Sequence, residues 1–155
     1  MIKILFVCLG NICRSPLAEA IFNKKAADKG LKGEFEVDSS GIGPWHIGKD
    51  PDPRSIEIAA KHGIKIEHKG RQFSSDDSHY DYIMAMDSSN LNAILQLLDT
   101  NHDGIYLMRH FDSVEKGTDV PDPYYGGKEG FQHVYDILSR SCDEFISFLK
   151  EKHKL

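Results

Sequence analysis

A short loop between an apolar run and the start of a helix is the feature that most constrains the fold of this chain. Ile2 to Val7 is apolar enough to form a buried strand, and Ser15 followed by Pro16 is typical of a helix N-cap and first helical residue. The loop between them must turn sharply, so its successive backbone N–H groups point inward. A strand that leads directly into a helix is the first half of a parallel strand-helix-strand unit.

The remainder of the chain repeats this alternation of strand and helix patterns. Further strands are predicted over Glu34 to Ser39, Tyr82 to Met86 and Ile105 to Met108. Helical patterns end near Gly30, begin at Asp52 with Pro53, run through Leu91 to Leu98, and start again at about Glu129. We therefore predict an α/β fold in one domain, with a doubly wound, four-stranded parallel sheet and helices on both faces. Ligands of such sheets bind at the carboxyl ends of the strands, which is where the loop after the first strand lies.

Length and composition fit one domain over residues 1–155 and argue against several functional classes. The net charge is −5 with scattered lysines, which argues against a nucleic-acid or acidic-membrane partner. Apolar stretches are too short to cross a bilayer, and Met1 leads straight into a strand pattern without a signal peptide. We expect a cytoplasmic protein and, by default, a monomer. Three cysteines do not form a disulfide framework, and metal-binding spacings are missing, so neither a metal nor a cofactor is expected.

Within the first loop, Cys8 and Arg14 lie six positions apart. Backbone N–H groups at a helix N-terminus bind anions, and a planar guanidinium adds bidentate hydrogen bonds to two oxygens of the same phosphate. The same field stabilises a thiolate, which is the nucleophilic form of cysteine. We therefore predict a phosphate-binding loop with Cys8 as nucleophile, the alternative being a buried strand-end cysteine beside a surface arginine. The substrate-binding part of this loop is predicted to comprise Leu9, Gly10, Asn11, Ile12 and Cys13.

A carboxylic acid is required opposite the sulfur, because thiolate attack on a phosphate monoester expels an alkoxide or phenoxide that needs a proton. Asp122 is the best candidate, since prolines on both sides restrict its backbone and it follows the fourth predicted strand; the alternative is an ordinary Asp-Pro turn. Tyr124 and Tyr125, with Trp45 in the loop after the second strand, are predicted to wall a slot for a flat ring. Such a slot selects phosphotyrosine because phosphoserine is too short to reach the sulfur, although Trp45 alone is equally explained as a core residue.

Residues around the loop are predicted to support it. Ser15 is expected to donate its hydroxyl to the Cys8 sulfur as well as to cap the helix, although capping alone would explain it. Asn11 is expected in a left-handed conformation, with its side chain tied to Ser39 or His62. For His62, which precedes a helix-ending glycine, a surface histidine at the C-terminus of a helix is an equal alternative.

Other residues have both a structural and a functional interpretation. Cys13 is close enough in sequence to form a disulfide with an oxidised Cys8 and protect it from over-oxidation, or is simply a small packed residue. Asp87 follows the third strand and is expected to cap the next helix, at a position that also lies near the site. Cys142 falls on the apolar stripe of the last helix and is expected in the core.

These motifs resemble the low-molecular-weight protein tyrosine phosphatases over nearly the whole chain. The resemblance is carried by Cys8-Leu9-Gly10-Asn11-Ile12-Cys13-Arg14-Ser15-Pro16, Asp122-Pro123-Tyr124-Tyr125, Asp38-Ser39, Asp52-Pro53-Arg54, His62-Gly63-Ile64 and Met86-Asp87-Ser88-Ser89-Asn90. It implies hydrolysis of phosphotyrosine in proteins, and we expect activity on small aryl phosphates at mildly acidic pH with phosphate and vanadate as inhibitors. The implied roles are nucleophile for Cys8, phosphate clamp for Arg14, general acid and then base for Asp122, and redox partner for Cys13. Loop-supporting hydrogen bonds are implied for Ser15, Asn11, Ser39 and His62.

Two other functions remain as alternatives. An arsenate reductase on the same scaffold would need further thiols after the third strand, where this chain has Met86-Asp87-Ser88. A catalytically silent phosphotyrosine-binding or redox-sensing module would need neither a nucleophile nor an acid, so Cys8, Arg14 and Asp122 together argue against it. The sequence therefore favours a phosphatase.

Overall fold

Strands and helices alternate along the chain as the sequence patterns predict. The computed structural model describes residues 1–98 and 101–155. Its strands are β1 (Ile2–Cys8), β2 (Phe35–Gly41), β3 (Tyr82–Ala85) and β4 (Ile105–Leu107). Its α-helices are α1 (Arg14–Asp28), α2 (Pro53–Lys61), α3 (Ser88–Leu97) and α4 (Lys128–His153). Short 3-10 helices cover Lys32–Glu34, Ser75–His79 and Met108–Phe111.

The strands of the described residues form one parallel sheet in the order β2-β1-β3-β4, which confirms the predicted doubly wound architecture. At the carboxyl edge of this sheet, Cys8 pairs with Gly41, and Val7 pairs with Ala85. The loops that follow β1, β2 and β3 therefore leave the sheet side by side. This edge is where parallel sheets bind their ligands.

Side chains of β1 alternate between two hydrophobic clusters, because successive residues of a strand point to opposite faces. Ile4 and Phe6 pack into the cluster that includes residues of α1, α2 and α4, whereas Leu5 and Val7 pack with Ile94 of α3. These strand residues are fully buried, which explains why β1 is a continuous apolar run rather than an alternating one. Burial of each such side chain contributes about 1.5–3 kcal/mol, so β1 holds both layers of helices in place.

The start of α1 differs from the prediction. The helix begins at Arg14 with Cys13 at the N-cap, so the prediction of Ser15 as N-cap and Pro16 as first helical residue is wrong by two positions. Within the described chain, no side chain caps this end of the helix. The N–H groups of the first turn therefore remain available to an anion. Pro16 is tolerated because its missing N–H falls in the first turn, where the helix offers no partner.

Two other helices start with the side-chain caps that the sequence indicates. The Asp52 carboxylate accepts from the backbone N–H of Arg54 at 2.8 Å, and the Asp87 carboxylate accepts from that of Asn90 at 2.7 Å. Helix α2 is followed by Gly63 in a left-handed conformation (φ 72°), which glycine adopts without strain. Among the described helices, none combines the length and apolar character needed to cross a membrane.

Long loops over the carboxyl edge are fastened by polar contacts. The loop after β2 is held by Gly70, whose N–H and carbonyl both hydrogen-bond to the backbone of that loop at 2.8 Å. The loop after β4 is held by Asp112, which is buried and accepts from Arg109 at 2.8 Å and from Arg140 at 2.7 Å. These contacts fix the two loops that carry the predicted ring-binding and acid residues.

Candidate active site

The loop between β1 and α1 curls around the sulfur of Cys8. Asn11 has φ 57°, which confirms the left-handed conformation predicted for it. The end of β2 passes directly behind the loop, and a Cβ atom on Gly41 would lie 2.9 Å from the Asn11 nitrogen. Glycine permits this close approach because it has no side chain. Gly41 and Asn11 together therefore set the curvature of the loop.

The Asn11 side chain fastens the loop from behind. Its Nδ2 donates to the hydroxyl of Ser15 at 2.8 Å and to that of Ser39 at 3.1 Å, which confirms the predicted contact with Ser39. Its Oδ1 accepts from the backbone N–H of Arg71 at 3.0 Å and lies 2.7 Å from His68 Nε2. Asn11, Ser15 and Ser39 are buried. In this low-dielectric setting each hydrogen bond is stronger than it would be in water.

The prediction that His62 supports the loop is wrong. His62 is exposed and stacks on Tyr135 with ring centroids 3.8 Å apart, so it holds the end of α2 against α4. His68 takes the predicted position, with its Nε2 also 3.3 Å from the Ser39 hydroxyl. The sequence did not distinguish the two histidines, because His68 lies in a segment without helix or strand pattern whose path is set by tertiary contacts.

Glu19 is a further member of this network that the sequence reasoning missed. Its carboxylate lies 3.3 Å from His68 Nδ1 and accepts from the Ser39 hydroxyl at 2.7 Å. Burial raises the pKa of Glu19 to about 7, and burial likewise lowers the pKa of His68. A signal was present in the sequence, because Glu19 falls one turn after Ser15 on the same face of the helix.

The Cys8 sulfur is buried at the floor of the loop, with 3% of the residue exposed. The predicted contact with Ser15 is confirmed, because Sγ and the Ser15 hydroxyl oxygen are 3.0 Å apart. The Asn11 N–H donates to the same sulfur at 3.3 Å. Four other N–H groups of the loop have no acceptor within the described part of the protein. They belong to Gly10, Ile12, Cys13 and Arg14. A thiolate or an oxyanion at this place is surrounded by donors.

Arg14 is held rigidly beside the loop. Its Nη1 donates to the Asp87 carboxylate at 2.8 Å and to the Val120 carbonyl at 2.9 Å, so Asp87 is both a helix cap and an anchor for the arginine. Burial opposes the charge of Arg14, but attraction to the Cys8 sulfur and to Asp87 prevails and raises the pKa of the guanidinium. The Nε and Nη2 atoms of Arg14 make no hydrogen bond to any residue that the structure describes. The guanidinium therefore keeps donors for an oxyanion.

The Asp122 carboxylate stands at the edge of the same space. Its Oδ2 lies 3.6 Å from Arg14 Nη2, and its side chain is 41% exposed. Its Oδ1 accepts from the Tyr124 N–H at 3.1 Å, which is the contact expected of the alternative Asp-Pro turn. The turn and the acid hypotheses are compatible, because the turn uses one carboxylate oxygen and the other faces Arg14.

A cavity of about 290 Å³ opens above the loop. It brings together most of the predicted catalytic and substrate-binding residues, namely Cys8, Leu9, Gly10, Ile12, Cys13, Arg14, Trp45, Asp122, Tyr124 and Tyr125. His46 also lines the cavity. Trp45 is 62% exposed, so the alternative of a core tryptophan is wrong. Asn11 is absent from the described lining, because its side chain turns to the back of the loop and only its N–H reaches the sulfur.

The remaining cysteines differ from Cys8 in their surroundings. Cys13 is buried, and burial together with the nearby Asp52 raises the pKa of its thiol well above the usual range. Cys142 is fully buried in α4, as predicted, and burial raises its pKa as well. The cysteines are free thiols. Cys13 therefore stays protonated under conditions in which an exposed thiol would begin to ionise.

One group of described residues has the side chains and proximity of a metal site. Ligand atoms of Glu19, Asp38 and His68 lie within 4.8 Å of one another. These side chains already have other partners, because Arg71 Nε donates to Asp38 Oδ2 at 2.8 Å, the Ser39 hydroxyl donates to Glu19 at 2.7 Å, and His68 Nε2 lies 2.7 Å from Asn11 Oδ1. The group is accounted for by these contacts, which hold the back of the loop.

Comparisons with known proteins agree with this geometry. A family model described as low molecular weight phosphotyrosine protein phosphatase matches residues 3–155. A low molecular weight phosphotyrosine protein phosphatase from Schizosaccharomyces pombe is 45% identical and covers 94% of this chain and 95% of its own length. The crystal structure of a protein tyrosine phosphatase from Entamoeba histolytica, with Hepes in the active site, superposes with a TM-score of 0.93 at 39% identity and covers 100% of both chains.

An arginine phosphatase from Drosophila is also similar, at 35% identity and a TM-score of 0.89, and it covers 96% of this chain and 98% of its own. Similar structures thus carry different substrate descriptions. Sequence and fold nevertheless agree on one assignment. The chain belongs to the low molecular weight phosphotyrosine protein phosphatase family.

Proposed function

We propose that this chain hydrolyses phosphotyrosine in proteins, and small aryl phosphates, through a cysteinyl-phosphate intermediate. The arrangement around Cys8 carries the proposal. The sulfur lies beneath backbone N–H groups that are free within the described chain, with Arg14 beside it and Asp122 at the edge of the same cavity. A binding module needs donors for the phosphate but neither a nucleophile nor an acid.

The first step breaks the bond between phosphorus and the phenolic oxygen. The Cys8 thiolate attacks phosphorus in line, while the loop N–H groups and the free donors of Arg14 hold the other phosphate oxygens. Protonated Asp122 gives its proton to the departing phenolate. The products are a phenol, the cysteinyl phosphate and the Asp122 carboxylate.

The second step restores the enzyme. Water attacks phosphorus, the Asp122 carboxylate takes a proton from it, and the S–P bond breaks to release inorganic phosphate and the Cys8 thiolate. Ser15 and the Asn11 N–H, at 3.0 and 3.3 Å from the sulfur, stabilise the negative charge that forms there. Asp122 is then protonated again and ready for the next turnover.

Apolar and aromatic walls support an aromatic substrate. The cavity lining includes Leu9, Ile12, Trp45, Tyr124 and Tyr125. A flat ring buries its faces against such walls. A phosphoguanidino group instead brings additional N–H donors, whose burial against apolar walls is costly without acceptors. The lining therefore favours phosphotyrosine over phosphoarginine. Phosphoarginine is the alternative suggested by similarity to the Drosophila arginine phosphatase.

The placement of the cysteines counts against the arsenate reductase alternative. A reductase needs further thiols that reach the adduct on Cys8, but Cys142 is fully buried in α4 and lies outside the described lining of the cavity.

For Cys13, which does line the cavity, we propose a protective role. Peroxide oxidises Cys8 to a sulfenic acid, and the Cys13 sulfur then displaces its hydroxyl as water to form a disulfide. A dithiol reverses this reaction.

We further propose that residues 1–155 form a single phosphatase domain that acts as a monomer on phosphotyrosine proteins. The single sheet of the described residues and the family match over residues 3–155 support the domain assignment. Phosphate and vanadate should inhibit competitively, because both present oxygens to the same N–H groups. A cytoplasmic location, which would keep Cys8 reduced, belongs to the same proposal.

Hydrolysis of p-nitrophenyl phosphate by wild type and Cys8→Ser tests the reaction. Cys8→Ser should abolish turnover, because a serine hydroxyl is far less ionised than a cysteine thiol. Cys142→Ala is the matched control, since it removes a buried cysteine outside the cavity and should retain most of the activity. Undiminished turnover by Cys8→Ser would remove Cys8 from the mechanism.

Asp122→Ala tests the acid. Protonation matters most for a poor leaving group, so kcat/KM should fall about 100-fold for phenyl phosphate and much less for p-nitrophenyl phosphate. Equal losses for the two substrates would contradict the acid role.

Hydrolysis of phosphotyrosine and phosphoarginine peptides tests the substrate class. Faster hydrolysis of the phosphoarginine peptide would reverse the assignment of phosphotyrosine as the substrate.

A further inference from the structure

We propose that Arg54 is a positioning residue for the acid step, which holds the segment carrying Asp122 over the phosphate-binding loop. The inference rests on the proposed function, because it assigns to Arg54 an effect on leaving-group protonation. Arg54 does not line the cavity in the described residues. It therefore acts through Asp122 rather than on the substrate.

The Arg54 guanidinium is hydrogen-bonded to the acid segment at two places. Nη2 donates to the Tyr124 carbonyl at 2.9 Å, and Nη1 donates to the Gly126 carbonyl at 3.0 Å. The guanidinium carbon also lies 5.8 Å from the centre of the Tyr124 ring and 4.6 Å from that of Phe131. The guanidinium plane is thus fixed by both hydrogen bonds and aromatic contacts.

The same guanidinium is anchored to the start of α2. Its Nε and Nη2 donate to the two carboxylate oxygens of Asp52 at 3.0 and 2.9 Å. Asp52 is buried and is itself tied to the phosphate-binding loop, because its N–H donates to the Ile12 carbonyl at 2.8 Å. Ser55, the residue after Arg54 in α2, also contacts the loop, because its hydroxyl donates to the Cys13 carbonyl at 3.2 Å. Arg54 therefore joins the loop that holds the nucleophile to the segment that holds the acid.

The acid segment depends on this connection because of its composition. Prolines precede and follow Asp122, and proline has no N–H to donate. The N–H groups of Tyr124 and Gly126 are used within the segment, for Asp122 and for the Pro123 carbonyl. Among the described residues, the hydrogen bonds that reach residues 121–126 from other elements come from Arg54.

Loss of Arg54 should therefore let the acid segment move while the phosphate-binding loop keeps its shape. Displacement of a catalytic group by about 1 Å reduces a rate by up to 10²-fold. Phosphate binding should be retained, because the loop N–H groups and Arg14 are held by other contacts. A lysine cannot replace Arg54, since one ammonium group cannot bridge both carbonyls and the Asp52 carboxylate in a planar arrangement.

The test compares Arg54→Met and Arg54→Lys with wild type on two substrates. We expect kcat/KM for phenyl phosphate to fall about 10-fold or more, and that for p-nitrophenyl phosphate to fall less than about 3-fold. The inhibition constant of inorganic phosphate should change less than about 3-fold. Lys128→Met is the matched control, because Lys128 is an exposed cation of α4 that pairs with Glu57 of α2 at 3.2 Å, and its replacement should keep both rates. Arg54→Lys carries the test if Arg54→Met does not fold.

A second measurement separates positioning from a merely structural effect. In an Asp122→Ala background, Arg54→Lys should cause no further leaving-group-dependent loss, because the group it positions has been removed. Equal losses on both substrates, or a full additional loss without Asp122, would overturn the proposal for Arg54 and leave the proposed function intact. An active Cys8→Ser variant would instead overturn the proposed function.

Discussion

The side chain of Asn11 offers a quantitative test of how the phosphate-binding loop is held. Asn11→Ala removes four contacts, with Ser15, Ser39, His68 and the Arg71 N–H, at distances between 2.7 and 3.1 Å. A net contribution of about 1 kcal/mol for each gives a loss of about 3–4 kcal/mol in the free energy of unfolding. Alanine at φ 57° adds about 1 kcal/mol of backbone strain.

Asn11→Gly separates these two contributions. It loses the same four contacts, but glycine adopts a positive φ freely, so we expect it to be about 1 kcal/mol more stable than Asn11→Ala. Asn23→Ala is the control, because Asn23 is exposed on α1 and its replacement should change stability by less than about 0.5 kcal/mol.

Urea denaturation of the four proteins measures these differences. Inhibition by inorganic phosphate should also weaken in both Asn11 variants, because the Asn11 N–H and its neighbours lose their fixed directions. A loss below about 1 kcal/mol in Asn11→Ala would refute the hydrogen-bond argument. An Asn11→Gly variant less stable than Asn11→Ala would refute the strain argument.

Three further substitutions test other parts of the structure. Burial opposes the charge of Asp112, but hydrogen bonds from Arg140, the Val114 N–H and Arg109 outweigh it and lower its pKa to about 2, so its carboxylate stabilises the fold above the unfolded pKa near 3.8. The contribution of Asp112 should therefore fall by about 2 kcal/mol between pH 5 and pH 2, and acid denaturation should show a smaller loss of stability in Asp112→Asn than in wild type over that range. Glu19 has a raised folded pKa of about 7, so wild type should lose stability as pH rises from 5 to 8. Glu19→Gln should reduce that loss by about 2 kcal/mol, as measured by urea denaturation at each pH, and identical stability–pH profiles for the two proteins would contradict this. A Cβ on Gly43 would lie 1.9 Å from the Trp45 ring, so Gly43→Ala should displace the indole and shift its fluorescence. The KM for aryl phosphates should rise several-fold with little change in kcat, and an unchanged KM would remove Trp45 from the substrate slot.

Features that depend on local sequence could be predicted well. The four strands, the cap at Asp52, the left-handed Asn11 and the pairing of Cys8 with Arg14 in one loop follow from periodicity and turn chemistry over a few residues. The start of α1 could not be predicted, because the usual preference for Ser15 as a cap is overridden by a loop whose N–H groups face a cavity.

The sequence by itself determined the architecture, the nucleophile and the arginine beside it, since each is written in neighbouring residues. Only the tertiary structure decided that His68 rather than His62 supports the loop, that Glu19 lies behind it, and that Arg54 connects it to the acid segment. The partners in these contacts come from segments far apart in the chain, and some of those segments have no helix or strand period. Their relative positions depend on how the whole core packs, which no local pattern records.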